Sequence, residues 1–188
     1  MSSLIAHLAA GATAYACRPS PMPRWLNWPL LAACLLLAVL PDLDYLLWWG
    51  WRIAVEPRIT HSLGFALAST GIAWLMLRGR ASGLALFAAA ASHEWLDFLV
   101  GVHPAPWLWP VAGTPFVSPL GVLPSAGRLD FSNFYLWRNL LIELGLLGPV
   151  MLALCATRQP ALRLTRPAWL GLATVAVVSL AWSLSLPR

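Results

Sequence analysis

The chain has 188 residues, 60% of them hydrophobic and 10% charged, with a mean hydropathy of +0.72. A soluble domain carries roughly 25% charged residues, so this composition excludes an ordinary water-soluble fold and describes an integral membrane protein. All 12 basic residues are arginines, and the net charge of +5 is spread over short interhelical segments, as expected of loops facing anionic lipid.

No basic cluster or RNA-binding motif supports a nucleic acid as partner. Cys17, Cys34 and Cys155 lie far apart in apolar segments and read as packing residues, with neither a disulfide framework nor a thiolate metal knuckle. Residues 1–17 are apolar except for His7, with small residues at Ala9, Ala10, Gly11, Ala12 and Ala14. They lack the positive start of a signal peptide and are expected to belong to the mature protein. Their length is at the lower limit for crossing a bilayer, and Arg18-Pro19 ends them.

Arg24-Trp25 and Trp28-Pro29 suit an interfacial start to the second segment. Its apolar run, residues 30–40, is interrupted by Pro41-Asp42-Leu43-Asp44 before Tyr45 to Trp49 resume it. Pro41 weakens the helix locally. In an unbroken helix Asp42 and Asp44 would point ~160° apart, so at most one faces a given partner unless the proline unwinds the turn. They mark either a helix end reaching water or a functional site, because carboxylates inside a membrane helix are costly.

Residues 51–60 form a short polar loop holding Arg52, Glu56 and Arg58. Thr60 reads as an N-cap, which places His61 in the first turn of the third segment. That segment runs to about residue 77, before Arg78-Gly79-Arg80. The fourth, residues 82–100, carries the run 84–91 and then Ser92-His93-Glu94-Trp95-Leu96-Asp97. His93 and Asp97 stand one turn apart on one helical face. Two groups at that spacing can share a metal ion, or the pair can satisfy itself in a bundle core. Glu94, a candidate general base, points ~100° away from His93.

Residues 101–130 change character. Prolines at 104, 106, 110, 115, 119 and 124 forbid a regular helix or central strand, and Trp107 and Trp109 mark an interfacial lid or re-entrant loop. His103, at its start, either adds a ligand or faces the surface. The fifth segment, 131–155, carries Asn139 and Glu143 on one face, with Glu143 ~15 Å into the helix. The sixth, 167–186, has no ionisable group inside. The expected fold is all-α: a polytopic membrane bundle of about six segments forming a single domain, with site helices at 1–100, a lid loop at 101–130 and further helices at 131–188.

With strict alternation across the membrane, His7, Asp42, Asp44, His61, His93 and Asp97 all lie on one side, and Glu143 enters from that side. Scattered structural residues would show no such bias. The far side holds Arg18, Arg24, Arg78, Arg80, Arg158, Arg163 and Arg166; the site's side holds Arg52, Arg58, Arg128, Arg138 and Arg188. Seven against five leans toward a periplasmic or exterior site.

His7, Pro41-Asp42-Leu43-Asp44, Thr60-His61-Ser62, Ser92-His93-x-x-x-Asp97 and Trp109-Pro110, in this order over about residues 1–125, resemble the YdjM-like, LexA-regulated membrane-bound metal-dependent hydrolases. The series is more distantly similar to the ligands of zinc-dependent phospholipases C and single-strand-specific zinc nucleases. The chain departs from the family's His-Arg-Gly-x-Thr-His-Ser: Glu56 stands where a histidine is expected, and Arg58 is displaced by one position. Val100 also occupies a position where threonine is common.

The resemblance implies metal-assisted hydrolysis with Zn²⁺, or alternatively Mn²⁺, as one or two ions. It implies His7, Asp42, His61, His93 and Asp97 as ligands, Asp44 as a ligand or as the group orienting a histidine, and Arg58 as a phosphate contact. The implied substrate is a lipid or lipid-linked (phospho)ester in a bacterial inner membrane that the chain crosses several times. Two other classes fit the same residues: a small ion or proton translocator, and a membrane scaffold with a structural metal site. A translocator needs polar groups continuing to the far face, where segments three, four and six supply almost none. An open coordination position would separate enzyme from scaffold. Nothing in the sequence sets the oligomeric state.

Overall fold

The computed structural model describes residues 2–18, 23–53, 57–125, 130–159 and 162–186; Pro19, Glu56, Arg128 and Arg188 lie outside the described residues. The elements are α1 (Leu4–Ala16), α2 (Arg24–Val39), a 3₁₀ turn (Leu40–Asp42), α3 (Leu43–Trp51), α4 (Leu63–Met76), α5 (Gly83–Val100), α6 (Phe134–Arg158) and α7 (Arg166–Leu184). With α2, the turn and α3 taken as one bent segment, these are the six expected. Among the described residues there is no strand, only an isolated antiparallel bridge from Ala105 to Phe116. Over its described residues the proline-rich stretch has no helix, because proline supplies no amide donor and restricts its predecessor.

Among the described residues four stretches are long and apolar enough to cross a membrane: Trp25–Tyr45, Gly83–Val100, Phe134–Arg158 and Arg166–Leu184. α1 and α4 have 13 and 14 residues, a rise of ~20 Å against a hydrocarbon core of ~30 Å. Serine caps start both: the Ser3 hydroxyl accepts from the Ala6 amide, and the Ser62 hydroxyl from the Phe65 amide. The cap of α4 is therefore Ser62 rather than Thr60, and His61 lies just ahead of the helix. Ser62 has the extended backbone that a cap requires, while the Thr60 hydroxyl is engaged with Asp44 and His61.

α5 packs against α1, α2 and α4, and α6 packs against α1 and α7. Ala85, Ala89, Ala90 and Ala91 give α5 a surface that neighbouring helices approach closely. Gly11 serves the same end on α1: a Cβ there would stand 2.6 Å from the Cys34 carbonyl oxygen of α2. Cys34 is fully buried in this core, and the Sγ atoms of Cys17 and Cys155 lie 3.9 Å apart between α1 and α6. The sulfurs do pack, though two of them against each other.

The lid closes the end where α4 begins. The Leu63 amide donates to the Trp107 carbonyl at 3.0 Å, and a side chain at Gly64 would collide with the Trp109 carbonyl. The Trp107 ring packs at a tilt of 48° against that of Phe98 on α5, centroids 4.6 Å apart. The stretch is thus docked at the start of α4 and near the end of α5.

Candidate metal centre

Five side chains converge from four places in the chain: His7 from α1, Asp42 from the 3₁₀ turn, His61 from just before α4, and His93 and Asp97 from α5. The three histidines are at most 2% exposed. The His7 and His93 rings stack at 3.9 Å, and His61 meets His93 edge-on at 5.0 Å.

His93 is the best defined. Its Nδ1 donates to the Ala38 carbonyl at 2.9 Å, which leaves Nε2 as the atom with the lone pair. That Nε2 stands 3.7 Å from Asp42 Oδ1 and 3.8 Å from Asp97 Oδ2. His61 Nε2 lies 3.6 Å from the same Asp42 oxygen and 3.9 Å from the same Asp97 oxygen. Ligands of a tetrahedral ion, each 2.0–2.2 Å from it, stand ~3.4 Å apart. Two nitrogens and two oxygens are thus arranged slightly outside the edges of such a tetrahedron.

The other oxygen of each carboxylate faces His7. Its Nε2 is 3.7 Å from Asp97 Oδ1 and 4.0 Å from Asp42 Oδ2. Asp42 and Asp97 therefore each turn one oxygen toward His61 and His93 and the other toward His7. Among the described residues, His93 Nε2 and Asp42 Oδ1 are buried without a hydrogen-bond partner. Two unsatisfied acceptors facing each other are unfavourable unless a cation lies between them, so the residues fit a divalent ion.

Asp44 faces elsewhere. The 3₁₀ turn separates it from Asp42, and it takes two hydrogen bonds from Arg58, at 2.8 Å from Nε and 3.1 Å from Nη2. Arg58 Nη2 also donates to His61 Nε2 at 2.8 Å. Burial is the largest influence on Arg58 and works against its charge; the Asp44 hydrogen bond and nearby anions outweigh it and hold the pKa above its ordinary value. On the other edge of His61, Nδ1 pairs with the Thr60 hydroxyl at 3.1 Å, which in turn donates to Asp44. Asp44 thus orients His61 through Thr60 and sits in the outer shell of the cluster. Arg58 is bound to Asp44 and His61 but also borders the cavity beside them.

Glu94 is brought in as well. It is 1% exposed, neither carboxylate oxygen has a partner, and it shares a cavity with Arg58, His61, Asp97 and His103. The volume of about 20 Å³ holds roughly one water. Phe98, Trp107 and Phe116 form its outer wall, and the exposed His103 stands at its rim.

Sequence patterning missed three supports. The Ser2 amide donates to Asp97 Oδ1 at 3.0 Å, and the Ser2 hydroxyl pairs with His7 Nε2 at 2.6 Å. Glu143 accepts from the Ser3 amide at 2.9 Å, so α6 pins the turn that carries Ser2. The third is the Ala38 carbonyl. Backbone partners of this kind leave no mark in side-chain spacing; only the isolated acid in α6 hinted at one.

The sequence model of the YdjM inner membrane protein family matches residues 1–185, nearly the whole chain. The chain belongs to the YdjM inner membrane protein family. It is a membrane protein, and in this YdjM chain the five converging residues come from the short motifs spread over its first hundred positions. No curated protein and no solved structure matches it.

Proposed function

We propose that this YdjM protein is a multi-pass, membrane-embedded metal-dependent hydrolase acting on a lipid or lipid-linked phosphoester. One observation carries the reading: the partnerless His93 Nε2 and Asp42 Oδ1, 3.7 Å apart, stand within 4 Å of Asp97 and His61, which together with the partnerless Glu94 line a cavity for about one water. A purely structural site would be closed by its ligands, whereas this cluster has an open side. When bound, Zn²⁺ or Mn²⁺ supplies Lewis acidity to a water and to the scissile oxygen.

The chain's own residues do the rest. His93, Asp42 and Asp97 would hold the ion, joined by His61 once its Nε2 exchanges the hydrogen bond from Arg58 for the metal, and His7 stands beside the same two carboxylates. Glu94 takes the proton from the attacking water. Arg58 neutralises charge developing on the phosphoryl oxygens, with Asp44 holding its guanidinium in place. Phe98, Trp107 and Phe116 keep bulk water out and offer an apolar entrance to a lipid. Elemental analysis of the purified protein together with turnover of lipid phosphoesters tests this. Zinc or manganese near stoichiometry, with turnover abolished by chelation, is expected. A metal-free protein, or a metal-loaded one that cleaves soluble phosphodiesters and ignores lipids, contradicts the reading.

The arginine balance orients the chain in this proposal with the metal centre toward the periplasm. Reporter fusions at Gly79 and Arg163 are expected to score as cytoplasmic, and one at Pro115 as exterior. The opposite pattern inverts the orientation and leaves the chemistry intact.

A further inference from the structure

A groove of about 610 Å³ runs between α1, α5 and α6 and shares no lining residue with the cavity beside Glu94. Ala10 and Ala14 of α1, Ala88 of α5 and Leu147 of α6 line it. The short side chains of α1 and the alanines of α5, between the larger Phe87 and Trp95, leave an open apolar trough. Along α5 it extends from Leu84 to Trp95, a rise of ~17 Å, close to half of a hydrocarbon core of ~30 Å. One leaflet's acyl chain has that reach.

The end of the groove away from Trp95 is basic. Arg18, just past α1, and Arg158, the last residue of α6, both line it. Arg18 donates to the Tyr15 carbonyl and the Asn27 side chain, and its Nε is buried without a partner. Among the described residues neither arginine has a carboxylate within ion-pair distance. Residues 17–23 and 159–165 contain no acid, and Arg163 and Arg166 add charge of the same sign. An apolar trough one leaflet long, ending at two guanidinium groups without counter-ions, complements one chemistry.

We propose that this groove binds an anionic phospholipid, its phosphate between Arg18 and Arg158 and one acyl chain along α1 and α5. Guanidinium forks suit phosphate oxygens. A zwitterionic headgroup brings its own cation to a place already crowded with arginines, so net negative charge is selected. The site is separate from the metal centre and requires no hydrolysis.

The test uses the purified full-length protein in phosphatidylcholine vesicles, with spin-labelled phosphatidylglycerol and spin-labelled phosphatidylcholine as probes. The anionic probe is expected to be immobilised in preference to the zwitterionic one. Arg18→Gln and Arg158→Gln each lower its affinity about tenfold, the loss of one charge-assisted hydrogen bond. Ala88→Phe, which fills the trough and keeps both charges, displaces the probe. Arg158 is exposed, so its variant remains informative if Arg18→Gln misfolds. Equal retention of the two probes, or retention unchanged in Arg158→Gln and Ala88→Phe, overturns the proposal. So does a dimer that Ala88→Phe dissociates, which would assign the groove to a second copy. Metal content stays at the wild-type level in all three variants, so failure here and failure of the hydrolase reading are separable.

Discussion

If the cluster holds a metal as proposed, replacing His93 by alanine is expected to abolish its binding, the largest effect of any single substitution. His93 belongs to both groups of residues that can hold an ion, His7 with Asp42 and His61 with Asp97, so its removal opens both at once. Its Nε2 is presented by a bond from Nδ1 to the Ala38 carbonyl, and no neighbouring side chain can substitute for it. Changes to groups that merely support a ligand cost 10–100-fold in metal affinity; loss of this shared ligand should exceed about 100-fold. Elemental analysis after dialysis, followed by competition with a chelator, measures it. His103→Ala, on the exposed rim of the lid, is the control and should retain metal at the wild-type level. Wild-type stoichiometry and affinity in His93→Ala would place the metal elsewhere.

Glu94→Gln is expected to keep the metal and lose turnover by ~10²–10⁴-fold, the span that a positioned general base contributes. The amide preserves the shape of a side chain that is 1% exposed but cannot accept the proton. Metal should stay because Glu94 is in neither ligand group. The pairing of results is what discriminates. Turnover unchanged removes Glu94 from the chemistry, and metal lost together with turnover makes it a ligand. Helical content and thermal unfolding measured on the same preparation separate a folding defect from the loss of a ligand.

The helical, membrane-bound character of this chain was legible from composition, since 10% charge cannot cover a water-soluble surface. The pairing of His93 with Asp97 was legible too, because a regular helix converts a spacing of four into one face. Alternation of the segments led to the expectation that histidines and acids gather, and His7, Asp42, His61, His93 and Asp97 do cluster. Helix geometry by itself did not say which of the two aspartates joins the cluster, although the family resemblance implied Asp42 as a ligand and left Asp44 either a ligand or a supporting group. An unbroken helix allowed either, and the choice fell to Asp42 because the 3₁₀ turn at Leu40–Asp42 aims it at the histidines, while Asp44 goes to Arg58 from the next loop. Glu94 looked misdirected on its own helix and gains its place only when the lid and the 57–62 loop enclose a cavity beside it.

The supports were the least legible. The Ala38 carbonyl meets His93 across 55 positions, the Ser2 amide meets Asp97 across 95, and the Ser3 amide meets Glu143 across 140. Periodicity encodes what one helix presents to its own faces; these bonds join the backbone of one element to the side chain of another. They depend on how closely α1, α2, α5 and α6 approach, which Gly11 and the alanines of α5 permit but do not specify. Packing of the assembled bundle decides them.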